Sequence, residues 1–197
     1  MKSIFEIAKN GTVEEVREAI TVGANVNARD EDGATPLMYA VLNKNPDVVK
    51  TLIDAGANIH SRDKKDMTAI IRAIFGANTN LDIIKILVSA GGDINARSRS
   101  GMSALMWVMP YDEKTPETIK ELIALGLDVN ASDDYGMTLL MKAAQHTENP
   151  STIKVIIDAG ANVNAKDTHG KKAIDYLDQN KKIHDTDAYW EIRDLLY

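Results

Sequence analysis

Apolar residues recur along the chain in short bursts, and each burst ends at a glycine. The sets are Val16/Ala19/Ile20, Val48/Val49/Leu52/Ile53, Ile83/Ile84/Leu87/Val88, Ile119/Leu122/Ile123 and Ile153/Ile156/Ile157. Positions three and four apart fall on one face of a helix, so each set predicts a helix of about ten residues with a single apolar stripe. Just past the stripes stand Gly23, Gly56, Gly91, Gly126 and Gly160, spaced by 33, 35, 35 and 34 residues. A glycine there fits the left-handed residue that ends a helix, where a Cβ is strained. A polar stretch with one apolar anchor follows each glycine, as in Ala24-Asn25-Val26-Asn27-Ala28 and Ala161-Asn162-Val163-Asn164-Ala165. Asp and Gly then mark turns, as at 30–33 and 133–136.

A second kind of burst follows each turn: Leu37/Ala40/Val41, Ile70/Ala73/Ile74, Leu105/Val108/Met109, Leu140/Ala143/Ala144 and Ile174/Leu177. Thr35-Pro36 is a helix start, with Thr expected to cap and Pro at the first helical position. The small Ala residues allow close helix approach, in keeping with a chain that is only 5% aromatic.

Turn, helix, short loop, helix, glycine and extended loop repeat at about 33 residues, a period that marks a stacked architecture. This unit resembles the ankyrin repeat. The resemblance rests on Asp30-x-x-Gly33-x-Thr35-Pro36-Leu37-x-x-Ala40, then Val48-Val49-x-x-Leu52-Ile53-x-x-Gly56-Ala57-Asn58-x-His60. It implies an all-α repeat solenoid forming one domain. The expected segments are an N-terminal capping repeat (1–29), four repeats (30–62, 63–97, 98–132 and 133–166) and a C-terminal capping repeat (167–197). Caps are expected because an uncovered repeat face aggregates.

Several positions depart from the family pattern. The His that usually follows Thr-Pro-Leu is replaced by Met38, Ile71, Met106 and Met141, so an apolar contact is expected instead of its hydrogen bond. Asp66 stands where the turn glycine belongs, and the inter-helix loops at 76–81, 110–117 and 146–151 are lengthened.

Net charge is -6, which argues against nucleic acid and anionic membrane as partners. No apolar run approaches the roughly 18 residues of a membrane span. Charges interrupt the first nine residues, which do not form a signal-peptide core. The expectation is a soluble, cytoplasmic monomer. There is no Cys, which excludes disulfides and thiolate chemistry.

Chemistry-bearing residues do not converge. His60, His146, His169 and His184 lack metal-ligand spacing. Gly170-Lys171-Lys172 lacks the remainder of a phosphate loop, and Ser103 and Ser151 read as helix-start residues. No enzyme activity, metal or cofactor is expected. The recurrent loop residues Asn27, Asn95, Asn130 and Asn164 have two readings: braces between neighbouring loops, or the asparagine that is hydroxylated in eukaryotic members of the family.

The resemblance also nominates a binding surface for a partner protein. Its turns project as fingers and its first helices line a concave groove. The fingers carry Glu31, Asp32, Lys64, Lys65, Met67, Arg99, Met102, Tyr135 and Met137. The groove position carries Tyr39, Arg72, Trp107, Lys142 and Tyr176 in successive repeats. Tyr, Trp, Arg and Met are enriched at protein interfaces. Two alternatives stay open: Tyr39 and Trp107 serve only to pack neighbouring repeats, or the chain is a passive scaffold that uses its convex face or caps. Lys64, Lys65, Arg99 and Arg72 make the middle of the groove basic, which fits an acidic or phosphorylated feature on the partner.

Overall fold

The computed structural model describes residues 2–75, 79–99, 101–102, 116–184 and 186–197. These residues form eleven helices and no strand. Two compact units are present, one ending at Arg99 and the other starting at Ser100.

The first unit holds three helix pairs: α1 (Ile4–Asn10) with α2 (Val13–Thr21), α3 (Pro36–Ala40) with α4 (Pro46–Asp54), and α5 (Ala69–Phe75) with α6 (Leu81–Ser89). First helices stack on first helices, α1 on α3 and α3 on α5, and second helices stack likewise, α2 on α4 and α4 on α6. The second unit contains α7 (Pro116–Ala124), α8 (Leu139–His146), α9 (Pro150–Asp158), α10 (Ala173–Leu177) and α11 (Asp187–Leu196). Here α8 packs on α10, while α9 packs between α7 and α11. Leu105, Met106, Val108, Met109 and Ser103 lie outside the described residues, as do most of the 110–117 loop and part of the 76–81 loop.

The second helices begin and end by repeated local rules. Asn45, Asn80 and Asn149 cap α4, α6 and α9, each side chain accepting from a backbone N–H two residues on at 3.0 Å. Ser151 is therefore the capped residue of α9, not its cap. In α2, Thr12 and Glu15 form a reciprocal capping box. At the other end, Gly56 N–H donates to Ile53 and Ala57 N–H to Leu52, a pair of bonds that closes the last turn around a left-handed residue. The same pair recurs at Gly23, Gly91, Gly126 and Gly160, all with φ between +87° and +97°.

Leu52, Leu87, Leu122 and Ile156 are fully buried, but the residue after each (Ile53, Val88, Ile123, Ile157) is only half-buried. One helical step turns a side chain by about 100°, which carries it onto the flank of the stripe. Met38, Ile71 and Met141 are buried, so at these three positions an apolar side chain does occupy the site of the family His.

Thr35 does not cap α3. Met38 N–H bonds to the Thr35 carbonyl instead, and the Thr35 hydroxyl is buried with no partner. Thr138, by contrast, does cap α8 through Met141 N–H. Asp66 adopts φ +58° and is the one non-glycine with positive φ among the described residues. The expected loop braces form at Asn27, which donates to the Gly56 carbonyl and accepts from Asn58 N–H, and at Asn130, which does the same with Gly160 and Asn162.

A Cβ added at Gly126 meets nothing within 4 Å, so any cost of replacing it is conformational. Gly126→Ala should lower unfolding free energy by about 1–2 kcal/mol in urea titration with the m-value unchanged. A midpoint equal to the parent's would contradict the helix-stop assignment.

Candidate functional site

Four of the turns are each closed by one carboxylate. Asp30 Oδ1 accepts from the N–H groups of Asp32 and Ala34 at 2.9 and 2.8 Å. Asp63 does so from Lys65 and Met67 at 2.8 and 2.9 Å, and Asp133 from Tyr135 and Met137 at 3.0 and 2.9 Å. Asp167 repeats the pattern with His169 and Lys171, both at 2.8 Å. Two residues on from an Asp, its own side chain replaces the backbone partner that a turn lacks.

The second carboxylate oxygen faces the first helix, nine residues further along the chain. Tyr39 OH donates to Asp30 Oδ2 at 2.7 Å, and Arg72 Nη2 meets Asp63 Oδ2 at 2.6 Å. Lys142 Nζ stands 3.5 Å from Asp133 Oδ2, and Tyr176 OH donates to Asp167 Oδ2. Four members of the first-helix row therefore compensate four turn carboxylates, three by a hydrogen bond and Lys142 by an ion pair. Their polar ends are engaged: the Arg72 and Lys142 side chains retain 24% and 20% exposure, and Tyr176 is buried. Tyr39 also packs edge-on against Phe5 at 5.6 Å, within the packing alternative for that residue. Trp107, the fifth member of the row, lies outside the described residues. Nine positions before it the sequence has Ser98 where the other repeats have Asp.

These bonds shift the protonation equilibria. Burial works against ionisation of Asp30 and Asp63, yet the bonds from Tyr39 and Arg72 and from the turn N–H groups outweigh it, and both carboxyls sit below the ordinary range. For Asp167 the Tyr176 bond is the leading cause of a similar depression. Burial, followed by the Asp167 bond, pushes the Tyr176 phenol up to about 12.

Adjacent tips are also tied through backbone. Lys64 N–H bonds to the Asp32 carbonyl at 2.9 Å, Arg99 N–H to Lys65 at 3.2 Å, and Thr168 N–H to Tyr135 at 2.9 Å. Two arginines staple the same loops from behind. Arg29 Nη1 donates to the carbonyls of Gly33 and Arg62, and Arg62 Nη1 to those of Asp66 and Arg97.

On this scaffold Lys65, Arg99 and Tyr135 are well exposed, Arg99 with 78% of its side chain and Tyr135 at 66%. Met102 and Met137 are half-buried. Met67 is a correction: it is 9% exposed and belongs to the core. It occupies the position equivalent to buried Ala34, where the closing bond of the turn from Asp63 N–H to the residue's own carbonyl draws the chain inward.

The sequence reading placed Asp in the turns but missed its tie to the first helix, and it missed the Arg29/Arg62 staples and the buried amides of Asn43 and Asn180. Each of those amides donates to two carbonyls of the preceding repeat. The signal for the tie was present as a constant Asp-to-donor offset of nine. Among the described residues no group of three or more His, Asp or Glu could hold a metal ion. No described helix is long and apolar enough to cross a membrane.

The family model for ankyrin repeats in three copies matches residues 3–63 and 70–167, and the model for many copies matches residues 44–88. Comparison with curated proteins finds no match. Among solved structures the chain is similar to an ankyrin repeat domain from Acinetobacter baumannii AYE, with 27% identity, TM-score 0.80, and coverage of 98% of this chain and 95% of that one. A further ankyrin repeat protein shows 26% identity and TM-score 0.79 over 98% and 96% of the two chains. A structure of a predatory endopeptidase from Bdellovibrio bacteriovorus in complex with an immunity protein matches at 24% identity and TM-score 0.79, covering 97% and 98%. This last likeness is one of fold.

The Tyr176 bond has a pH signature. A phenol whose folded pKa of about 12 lies above its ordinary value near 10 stabilises the fold fully below about pH 10. That contribution disappears as pH rises through about 12. Conversely, the depressed carboxyls Asp30, Asp63 and Asp167 stabilise the fold above about pH 4, their ordinary range, and the contribution fades as pH falls through their lowered values. Absorbance titration of phenolate should show a latest step that Tyr176→Phe removes, and that variant should lose about 1–2 kcal/mol at neutral pH. An unchanged latest step would contradict the buried Tyr176–Asp167 bond.

Proposed function

Because the chain belongs to the ankyrin-repeat family, we propose that it is a protein-interaction module whose partner contacts lie on the turn tips and on the first-helix row behind them. Ankyrin repeats generally mediate protein–protein interactions and are typically non-enzymatic modules. The observation that carries the reading is the division of labour in the turns. Carboxylates hold the turns at Asp30, Asp63, Asp133 and Asp167 and backbone bonds tie the tip of Arg99 to that of Lys65, while Lys65, Arg99 and Tyr135 are left in solvent.

The proposed contact set comprises Lys65 and Arg99 on the tips of the first unit and Met102, Tyr135 and Met137 on those of the second. Tyr39, Arg72 and Lys142 offer their remaining exposed edges, and their main task is to fix the turns. Trp107 keeps its place in the set by its position in the repeat. A tip held in place before binding loses little conformational freedom on binding, which favours affinity without a large contact area.

A second reading, a scaffold that works through its caps, has one observation behind it. On α11, Tyr189, Ile192 and Leu196 are buried, but Trp190, Leu195 and the following residue Tyr197 are exposed, with Arg193 lying against the Trp190 and Tyr197 rings.

The two readings separate in a capture experiment. Immobilised protein would be exposed to an extract of the source cell beside a tip variant (Lys65→Glu, Arg99→Glu, Tyr135→Ala) and a cap variant (Trp190→Ala, Tyr197→Ala), all shown to melt alike. The tip variant should lose the captured protein by about tenfold or more, and the cap variant should retain it. The reverse pattern would replace the tip reading with the cap reading.

A further inference from the structure

We infer that the tips of the first unit receive a short acidic segment of the partner protein on Lys64, Lys65 and Arg99, an assignment that rests on the tip reading above. Lys64 and Lys65 are both exposed, and among the described residues no carboxylate lies within 4.0 Å of either ammonium. Arg99 Nε stands 3.7 Å from Asp66 Oδ2, beyond hydrogen-bonding reach. That solvated pair leaves the planar fork of Arg99 accessible to a second carboxylate.

The three cations are neighbours by construction. The hydrogen bond from Arg99 N–H to the Lys65 carbonyl joins the second and third tips through their backbones. Arg62 adds a charge beneath them. Its Nη1 donates to the carbonyls of Asp66 and Arg97, which hold the guanidinium in place without cancelling its charge. The basic island therefore sits on a rigid base, on a chain whose net charge is -6.

That contrast determines which anion fits. A long polyanion meets the repulsion of the whole acidic molecule, whereas a segment of a few residues meets only the local field, within about a Debye length. The first tip sharpens the choice. Glu31 and Asp32 are exposed there, and the Asp32 carbonyl is itself bonded to Lys64 N–H. An acidic segment that slides toward the first tip meets like charge, so the sign change along the tips sets the register.

The test uses the full chain and a fluorescein-labelled ten-residue glutamate peptide, read by anisotropy at about 50 and about 300 mM salt. Binding should weaken at least about tenfold at the higher salt and at least about tenfold again in Lys64→Glu/Lys65→Glu and in Arg99→Glu. A control pair on the second helices, Lys50→Glu/Lys120→Glu, makes the same charge change as the lysine pair and should leave binding within about twofold of the parent. Equal weakening by the control pair would overturn the assignment, and so would equal binding of a ten-residue single-stranded DNA. Absence of peptide binding would also overturn it. If the tip variant still lost its captured protein in that case, the tip reading would stand without an acidic partner.

Discussion

A turn carboxylate tied to the first helix is the constraint on which the turns at Asp30, Asp63, Asp133 and Asp167 depend. Asp63, Asp133 and Asp167 are nearly removed from water, and a buried charge is tolerated only when its acceptor capacity is filled. One oxygen is filled by the turn's own N–H groups, which sets the shape of the tip. The other meets a first-helix side chain, through a hydrogen bond from Arg72 or Tyr176 and an ion pair with Lys142 at 3.5 Å, which sets the distance between tip and helix. Tyrosine, arginine and lysine all meet that requirement. The position therefore tolerates variation in type while requiring a donor of adequate length.

Within each unit the remaining bonds extend the same logic from repeat to repeat. Backbone bonds join successive tips, Asn27 and Asn130 join successive loops, and Asn43 and Asn180 reach back to the preceding inter-helix loop. The apolar stripe supplies the drive to stack, but an Ile or Leu face alone is indifferent to small shifts in register. Directional bonds to backbone carbonyls remove that indifference. The tips thus inherit their order from polar contacts made within the chain.

Much of the helical plan was legible in the sequence, because apolar spacing and a left-handed glycine are local properties. Gly56 and Gly126 announce their helix ends without reference to any other part of the chain. The first-helix row was legible by position, but its tie to the turns was not. Tyr39, Arg72, Lys142 and Tyr176 share a row and carry interface-type side chains, which invited a partner-facing reading. Their tie to Asp30, Asp63, Asp133 and Asp167 is a through-space relation that composition does not reveal, although the constant offset of nine encodes it. Met67 was misplaced for a similar reason: a methionine beside a turn reads as a tip residue until the closing bond of the turn draws it into the core. Thr35 failed as a cap because the Thr35 carbonyl accepts the Met38 N–H in place of its hydroxyl.

The central claim is that first-helix donors and turn carboxylates are energetically coupled, and a double-mutant cycle on Asp63 and Arg72 tests it most directly. Unfolding free energies of the parent, Asp63→Ala, Arg72→Ala and the double variant would be measured in urea at neutral pH. The account predicts a coupling of about 1.5–3 kcal/mol, the range for a hydrogen bond to a charged group. Additivity within about 0.3 kcal/mol would mean that the two side chains act independently, and would contradict it.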